Sequence, residues 1–175
     1  MRVVLISASA ACAAALLACS PPAQRPETPP EQPTVAACNS VAPNASRQVA
    51  IVDAAAAAAA AAELRGGSIT PGVYDLVSAT RVGAATGWTG TRAVALDVSE
   101  NAAGGVTFNW TGAAPDGSVD TWTGAFTEAP QPRLSFTCGR MGDVPAAFEA
   151  TATTLQLTLQ DGAGGQLALS FQRRA

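Results

Sequence analysis

Histidine and lysine are both missing from the 175 residues. Without histidine the chain lacks the commonest general base and the commonest metal ligand, so no Ser/His/Asp triad and no ordinary zinc set can be assembled. Every positive side chain is an arginine, the arginines are scattered, and the net charge is −3. That leaves no basic face for nucleic acid. Aromatic residues make up 5% of the chain, too few to form two membrane girdles. The apolar core Val3–Leu17 near the start is too short to cross a bilayer as a helix. Pre-formed cofactor chemistry is missing too: the glycine pairs Gly104-Gly105 and Gly164-Gly165 sit in hairpin turns rather than in a phosphate-cradling motif, and no cofactor is expected.

What is present begins with a leader. Arg2 supplies a charged start and Val3–Leu17 an apolar core, the grammar of a secretory signal. It ends Leu16-Leu17-Ala18-Cys19, which resembles the lipobox of bacterial lipoproteins. The resemblance implies cleavage before Cys19 and acylation of that residue. Each buried methylene of an acyl chain contributes about 0.8 kcal/mol, so a multiply acylated cysteine holds to a membrane. Ser20, rather than Asp, follows the cysteine, which resembles the lipoproteins sorted to the outer membrane; the domain would face the periplasm or the cell surface. Residues 1–18 are therefore read as signal peptide. Residues 19–37 follow as a lipidated N-terminus and linker, in which Pro21, Pro22, Pro26, Pro29, Pro30 and Pro33 favour extended polyproline II.

Residues 38–71 are read as a segment pinned by a cysteine and carrying one alanine-rich helix over Asn44–Gly67. Ala54–Ala62 is unbroken alanine, the best helix former. Asn44 or Ser46 would cap its start and Gly66 end it.

Residues 72–175 alternate. Val94, Leu96 and Val98 share one face, as do Val106, Phe108 and Trp110; Leu134, Phe136 and Cys138; Leu155, Leu157 and Leu159; and Leu167, Leu169 and Phe171. Threonine, serine and glutamine take the intervening positions, the pattern of antiparallel strands with one wet side. Eight strands are predicted near Val73–Thr80, Thr91–Ser99, Gly105–Thr111, Val119–Thr127, Arg133–Cys138, Ala146–Thr151, Thr154–Gln160 and Gln166–Arg173. Short turns join most of them, so sequence neighbours should pair in space. The expected fold is all-β, an eight-stranded antiparallel up-and-down barrel that removes its own edges, with a two-sheet sandwich as the alternative. Most strands are too short for a membrane-spanning barrel.

The entry to this region, Gly66-Gly67-Ser68-Ile69 followed by Gly72-Val73-Tyr74-Asp75-Leu76, carries a Gly-x-aromatic at the head of the first strand. It resembles the Gly-x-Trp signature of lipocalin-type barrels, with Tyr in place of Trp. The same opening is similar to that of uncharacterised Gram-negative lipoproteins. The lipocalin resemblance implies that Tyr74 closes the barrel floor and that Arg173 (or Arg174) of the last strand stacks on it.

Four cysteines occur. Cys12 leaves with the leader and Cys19 takes lipid. Cys38 and Cys138 remain in an oxidising compartment and are expected to pair. Carboxylates offer little chemistry. Asp116-Gly117-Ser118-Val119-Asp120 lacks the oxygen spacing of a calcium loop and reads as a turn. Nothing brings Asp143 and Glu149 together. The tryptophans are the candidate ligand contacts: Trp110 and Trp122 on strands, and Trp88 in the longest loop, Val82–Gly90, where it either meets a ligand or folds back over the barrel end. The expected function is that of a non-enzymatic, lipid-anchored envelope protein that binds a small apolar ligand or a periplasmic protein. The alternative is a periplasmic inhibitor of a protease or lysozyme, by likeness of form.

Overall fold

The computed structural model describes residues 37–54, 64–162 and 164–175. The leader, Cys19, the proline-rich linker up to residue 36 and residues 55–63, with most of the alanine run, lie outside them. The described residues form nine strands and no helix: β1 (Val49–Ala54), β2 (Gly72–Gly83), β3 (Thr91–Glu100), β4 (Val106–Ala113), β5 (Val119–Thr127), β6 (Arg133–Cys138), β7 (Asp143–Ala150), β8 (Thr154–Asp161) and β9 (Gly165–Arg173). Each of β2–β9 pairs antiparallel with the next. β9 returns to β2, from Tyr74 opposite Arg173 to Gly83 opposite Gly165. The sheet is thus a barrel-like ring.

Eight strands were expected and nine are present. The eight expected segments are β2–β9, displaced by a few residues at their ends. The ninth, β1, corrects the helix expected over Asn44–Gly67, whose described part is strand over Val49–Ala54 and extended or turn elsewhere. Tertiary context overrides propensity here. β2 and β3 pair only near Gly72–Asp75 and Ala95–Val98, and then diverge. β1 enters the gap, parallel to β2 over Ile51–Ala54 and antiparallel to β3 at Val49 and Ala50. Its ladder satisfies backbone groups that the divergence would leave bare, and Val49 and Ile51 pack on the core. A similar gap opens between β6 and β7 at the other end. There Gly66 bridges Glu149, its N–H donating to Phe148 O (2.8 Å) and its carbonyl accepting from Ala150 N–H (2.9 Å).

The alternating apolar residues face inward. Leu155 and Leu157 are at most 1% exposed and Leu159 8%; Val94, Leu96, Val98, Phe108, Leu169 and Phe171 are also buried. Each such side chain contributes about 1.5–3 kcal/mol relative to leaving it in water. Cys138 departs from its expected face. The β5–β6 register shifts between Thr123 and Gly124, so Gly124 faces Phe136 but Thr123 faces Cys138. The extra residue, Thr137, turns Cys138 to the outer side, as a β-bulge does.

The outer side is not uniformly wet, again contrary to expectation. Asp75, Ala95 and Thr111 form one cross-strand row, and all three are buried on that outer side. A strap over residues 38–44 lies along it. Cys38 is bonded to Cys138. Asn39 Nδ2 donates to the carbonyls of Trp110 and Trp122, both at 3.0 Å, and its Oδ1 accepts from Thr111 Oγ1 at 2.9 Å. Ala42 O accepts from Arg174 Nη2 (3.0 Å), and the same guanidinium pairs with Asp75 Oδ1 at 2.6 Å. Gly139 makes the bond possible. Its φ is +75°, and a Cβ there would lie 2.9 Å from Cys38 Sγ and 3.0 Å from Trp122 Cα.

The ring has two unlike ends. At the end of Gly72 and Arg173 the interior is filled: Phe108 stacks on Phe126 with centroids 5.0 Å apart, and Phe148 meets Phe126 edge-on at 5.3 Å. Ile69 and Tyr74 complete that floor, both buried. Tyr74 Oη donates to Thr70 O at 2.6 Å. Burial pushes the Tyr74 hydroxyl up, with the positive charge of Arg173 opposing. A raised folded-state value means that the folded protein holds this proton when the unfolded chain has begun to lose it. Stability from Tyr74 is therefore complete below about pH 10 and falls as the pH climbs toward the folded value. In urea titrations, Tyr74→Phe should cost about 1 kcal/mol at neutral pH through the lost hydrogen bond. It should also lose less stability than the wild type between roughly pH 9 and 11. Parallel alkaline losses in the two proteins would refute the assignment.

Candidate functional site: a tryptophan-lined cavity at the barrel mouth

At the other end, where β8 turns into β9, the interior is hollow. A cavity of about 180 Å³ is walled by Trp110 of β4, Trp122 of β5, Phe136 of β6, Leu159 of β8 and Leu167 and Leu169 of β9. Trp88 from the β2–β3 loop also lines it. These residues meet because the inward positions of adjacent strands stand side by side. Trp110 and Trp122 are direct cross-strand partners, stacked at 5.3 Å with 11° between their planes. Phe136 meets Trp122 edge-on at 5.2 Å, and Trp88 meets Trp110 edge-on at 6.2 Å.

Trp88 folds back over the barrel end, 4% exposed, and in doing so becomes part of the wall. Two devices hold its loop. Asp161 Oδ2 accepts from the backbone N–H groups of Thr86 (2.9 Å) and Gly87 (2.6 Å). A side chain at Gly87 would crowd that carboxylate, since a Cβ would sit 2.9 Å from Oδ1. Arg81 Nη1 donates to the Trp88 carbonyl at 2.9 Å while its Nε and Nη2 grip Asp53 at 2.7 and 3.0 Å. The hydrogen bond from Arg81 lowers the Asp53 carboxyl, and Asp53 in turn raises the Arg81 guanidinium. Asp53 belongs to β1, so the inserted strand reaches the loop through one arginine.

Charge is confined to the rim. Asp120 on β5 pairs with Arg140 at 3.0 Å and faces Arg92 at 3.9 Å, while the Arg140 guanidinium sits 5.9 Å over Phe136. All three charged residues line the cavity. Sequence reasoning missed them, because only the barrel register brings β3, β5 and the β6–β7 turn to one rim. Among the described residues, three buried side-chain donors have no hydrogen-bond partner: Trp88 Nε1, Trp110 Nε1 and Arg92 Nε.

The remaining expectations fall elsewhere. Tyr74 and Arg173 are direct partners on β2 and β9 at the filled end. The Arg173 side chain runs over Gly72, where a Cβ would lie 2.8 Å from its Nε. Asp116 makes a turn: its Oδ1 accepts from Ser118 N (2.9 Å) and Oγ (2.7 Å), and these bonds lower its carboxyl. Asp143 and Glu149 stand at opposite ends of β7, roughly 20 Å apart at the strand rise, and form no pair.

No family model matches the chain, and no curated protein matches it. A solved structure similar to it is a de novo designed fluorescence-activating β-barrel, at 10% identity and a TM-score of 0.42, over 60% of this chain and 94% of the designed one.

Proposed function

We propose that this protein is a non-enzymatic envelope lipoprotein, anchored through Cys19 to the outer membrane, whose lipocalin-like barrel of β2–β9 carries a small apolar ligand. One observation carries the reading: half of the barrel interior is packed solid, while the other half encloses about 180 Å³ walled by all three tryptophans of the chain. Concave apolar sites with a few polar groups are the usual form of small-molecule sites, at about 300–1,000 Å³ for drug-sized ligands, and the smaller volume here calls for a smaller ligand. The Cys38–Cys138 bond supports an oxidising compartment. The inhibitor reading calls for a filled barrel and a projecting loop or N-terminal trunk; the barrel here is hollow at one end, and its long mouth loop is folded inward on Asp161 and Arg81.

Mass spectrometry of small molecules co-extracted with the protein from its own membranes tests the proposal. An apolar compound should be enriched with the wild type and lost from Leu169→Trp, which places a larger side chain in the cavity wall. A wild-type extract indistinguishable from that of Leu169→Trp would overturn the reading.

A further inference from the structure

The orphan donors say what kind of ligand fits. Resting on the cavity-binding reading, we infer that the ligand is a small, single-ring-sized apolar molecule bearing a hydrogen-bond-accepting oxygen, a carboxylate or a carbonyl. That oxygen is received by Trp110 Nε1, Trp88 Nε1 and Arg92 Nε.

Buried donors without partners are rare, and each costs about 1–3 kcal/mol. Here all the unpartnered buried side-chain donors among the described residues belong to residues lining one cavity. Two of them are neutral indoles, 4% and 5% exposed. They also converge. A point one carbon above Gly112 is 3.2 Å from Trp110 Nε1, 3.7 Å from Val94 Cγ2 and 3.8 Å from Arg92 Cδ, so that indole N–H and the arginine stem approach one another beside Val94, over a residue without a side chain. The ring of Trp88 stands edge-on to that of Trp110. On the rim Asp120 Oδ2 holds Arg140 and Asp161 Oδ2 holds the loop amides. The buried unpartnered side-chain groups among the described residues are all donors, so the site asks for acceptors. Its walls are aromatic and aliphatic, and its volume sets the size, since an apolar cavity of about 150 Å³ holds benzene.

Toluene, acetophenone and benzoate share one ring and differ in the acceptor. Every tryptophan of the chain lines the cavity, so intrinsic fluorescence of the full chain reports directly on it. Acetophenone or benzoate should bind at least about tenfold more tightly than toluene, the equivalent of one recovered hydrogen bond. A preference for benzoate over acetophenone assigns the oxygen to a carboxylate, and the reverse to a carbonyl. Trp110→Phe and Trp88→Phe should each shrink the ratio to toluene; Arg92→Met supplies the same comparison should a tryptophan variant fail to fold. Equal binding of all three probes would leave the cavity reading standing and overturn this inference. Binding of none would overturn both.

Discussion

Replacing Cys38 and Cys138 by serine is expected to lower the unfolding free energy by about 3–5 kcal/mol, the largest effect of any exchange outside the core. The bond closes a loop with a separation of 100 residues. In the chain-entropy account such a loop restricts the unfolded ensemble by up to about 4.7 kcal/mol. A small domain holds roughly 5–15 kcal/mol in total, so the loss is a large share. The folded state suffers as well. The bond anchors the strap that covers Asp75, Ala95 and Thr111, and Asn39 beside it satisfies two strand carbonyls. A freed strap would wet those positions and weaken the Arg174–Asp75 pair, whose carboxylate side chain is 7% exposed. Urea unfolding of the double serine variant measures the sum. Asn39→Ala, which keeps the bond, isolates the strap and should cost about 1–2 kcal/mol. A double variant within 1 kcal/mol of the wild type would show that strap and bond are dispensable to the fold.

The barrel was legible because its information is local. Two-residue periodicity and turn chemistry specify which faces of β2–β9 point inward, and short connectors leave neighbours no partner but each other. Residues 49–54 were misread for the opposite reason. Val-Ala-Ile-Val-Asp-Ala leads into an alanine run that favours helix, and the opening between β2 and β3 that recruits it as a strand is a product of the whole ring. No such signal marks β1, but one marks the strap: the outer positions of β3 include Ala93 and Ala95 where other strands carry threonine or glutamine, and both are 0% exposed. Small residues on a face expected to be wet mark a face that something covers. The cavity divides similarly. Trp110 and Trp122 could be assigned inward from alternation, but Arg92, Asp120 and Arg140 lie on separate segments and meet only through register. Cys138 was placed on the wrong face because a single extra residue, Thr137, is invisible to a periodic count.

Phe126→Ala should cost about 3–5 kcal/mol, and Leu167→Ala only about 2 kcal/mol, although both remove apolar walls of the same barrel. The cost of truncation rises with the void left behind. Phe126 is 1% exposed and lies between a stacked Phe108 and an edge-on Phe148. Its neighbours are held by the strands, so the hole cannot collapse and both aromatic contacts are lost. Leu167 borders space that is already open. Removing it widens a cavity whose desolvation the fold already sustains, and the side chain is partly exposed to begin with. The two variants should also part in ligand behaviour. Leu167→Ala should shift the size preference of the site toward larger rings, while Phe126→Ala, studied where enough remains folded, should leave that preference where it was because the floor lies below the cavity. Calorimetric or urea stabilities that were equal for the two, or a floor variant that altered probe size selection as strongly as the mouth variant, would mean that the interior is one continuous core. A barrel divided into a rigid floor and an open mouth makes the opposite demand: its stability must be concentrated at the end that binds nothing.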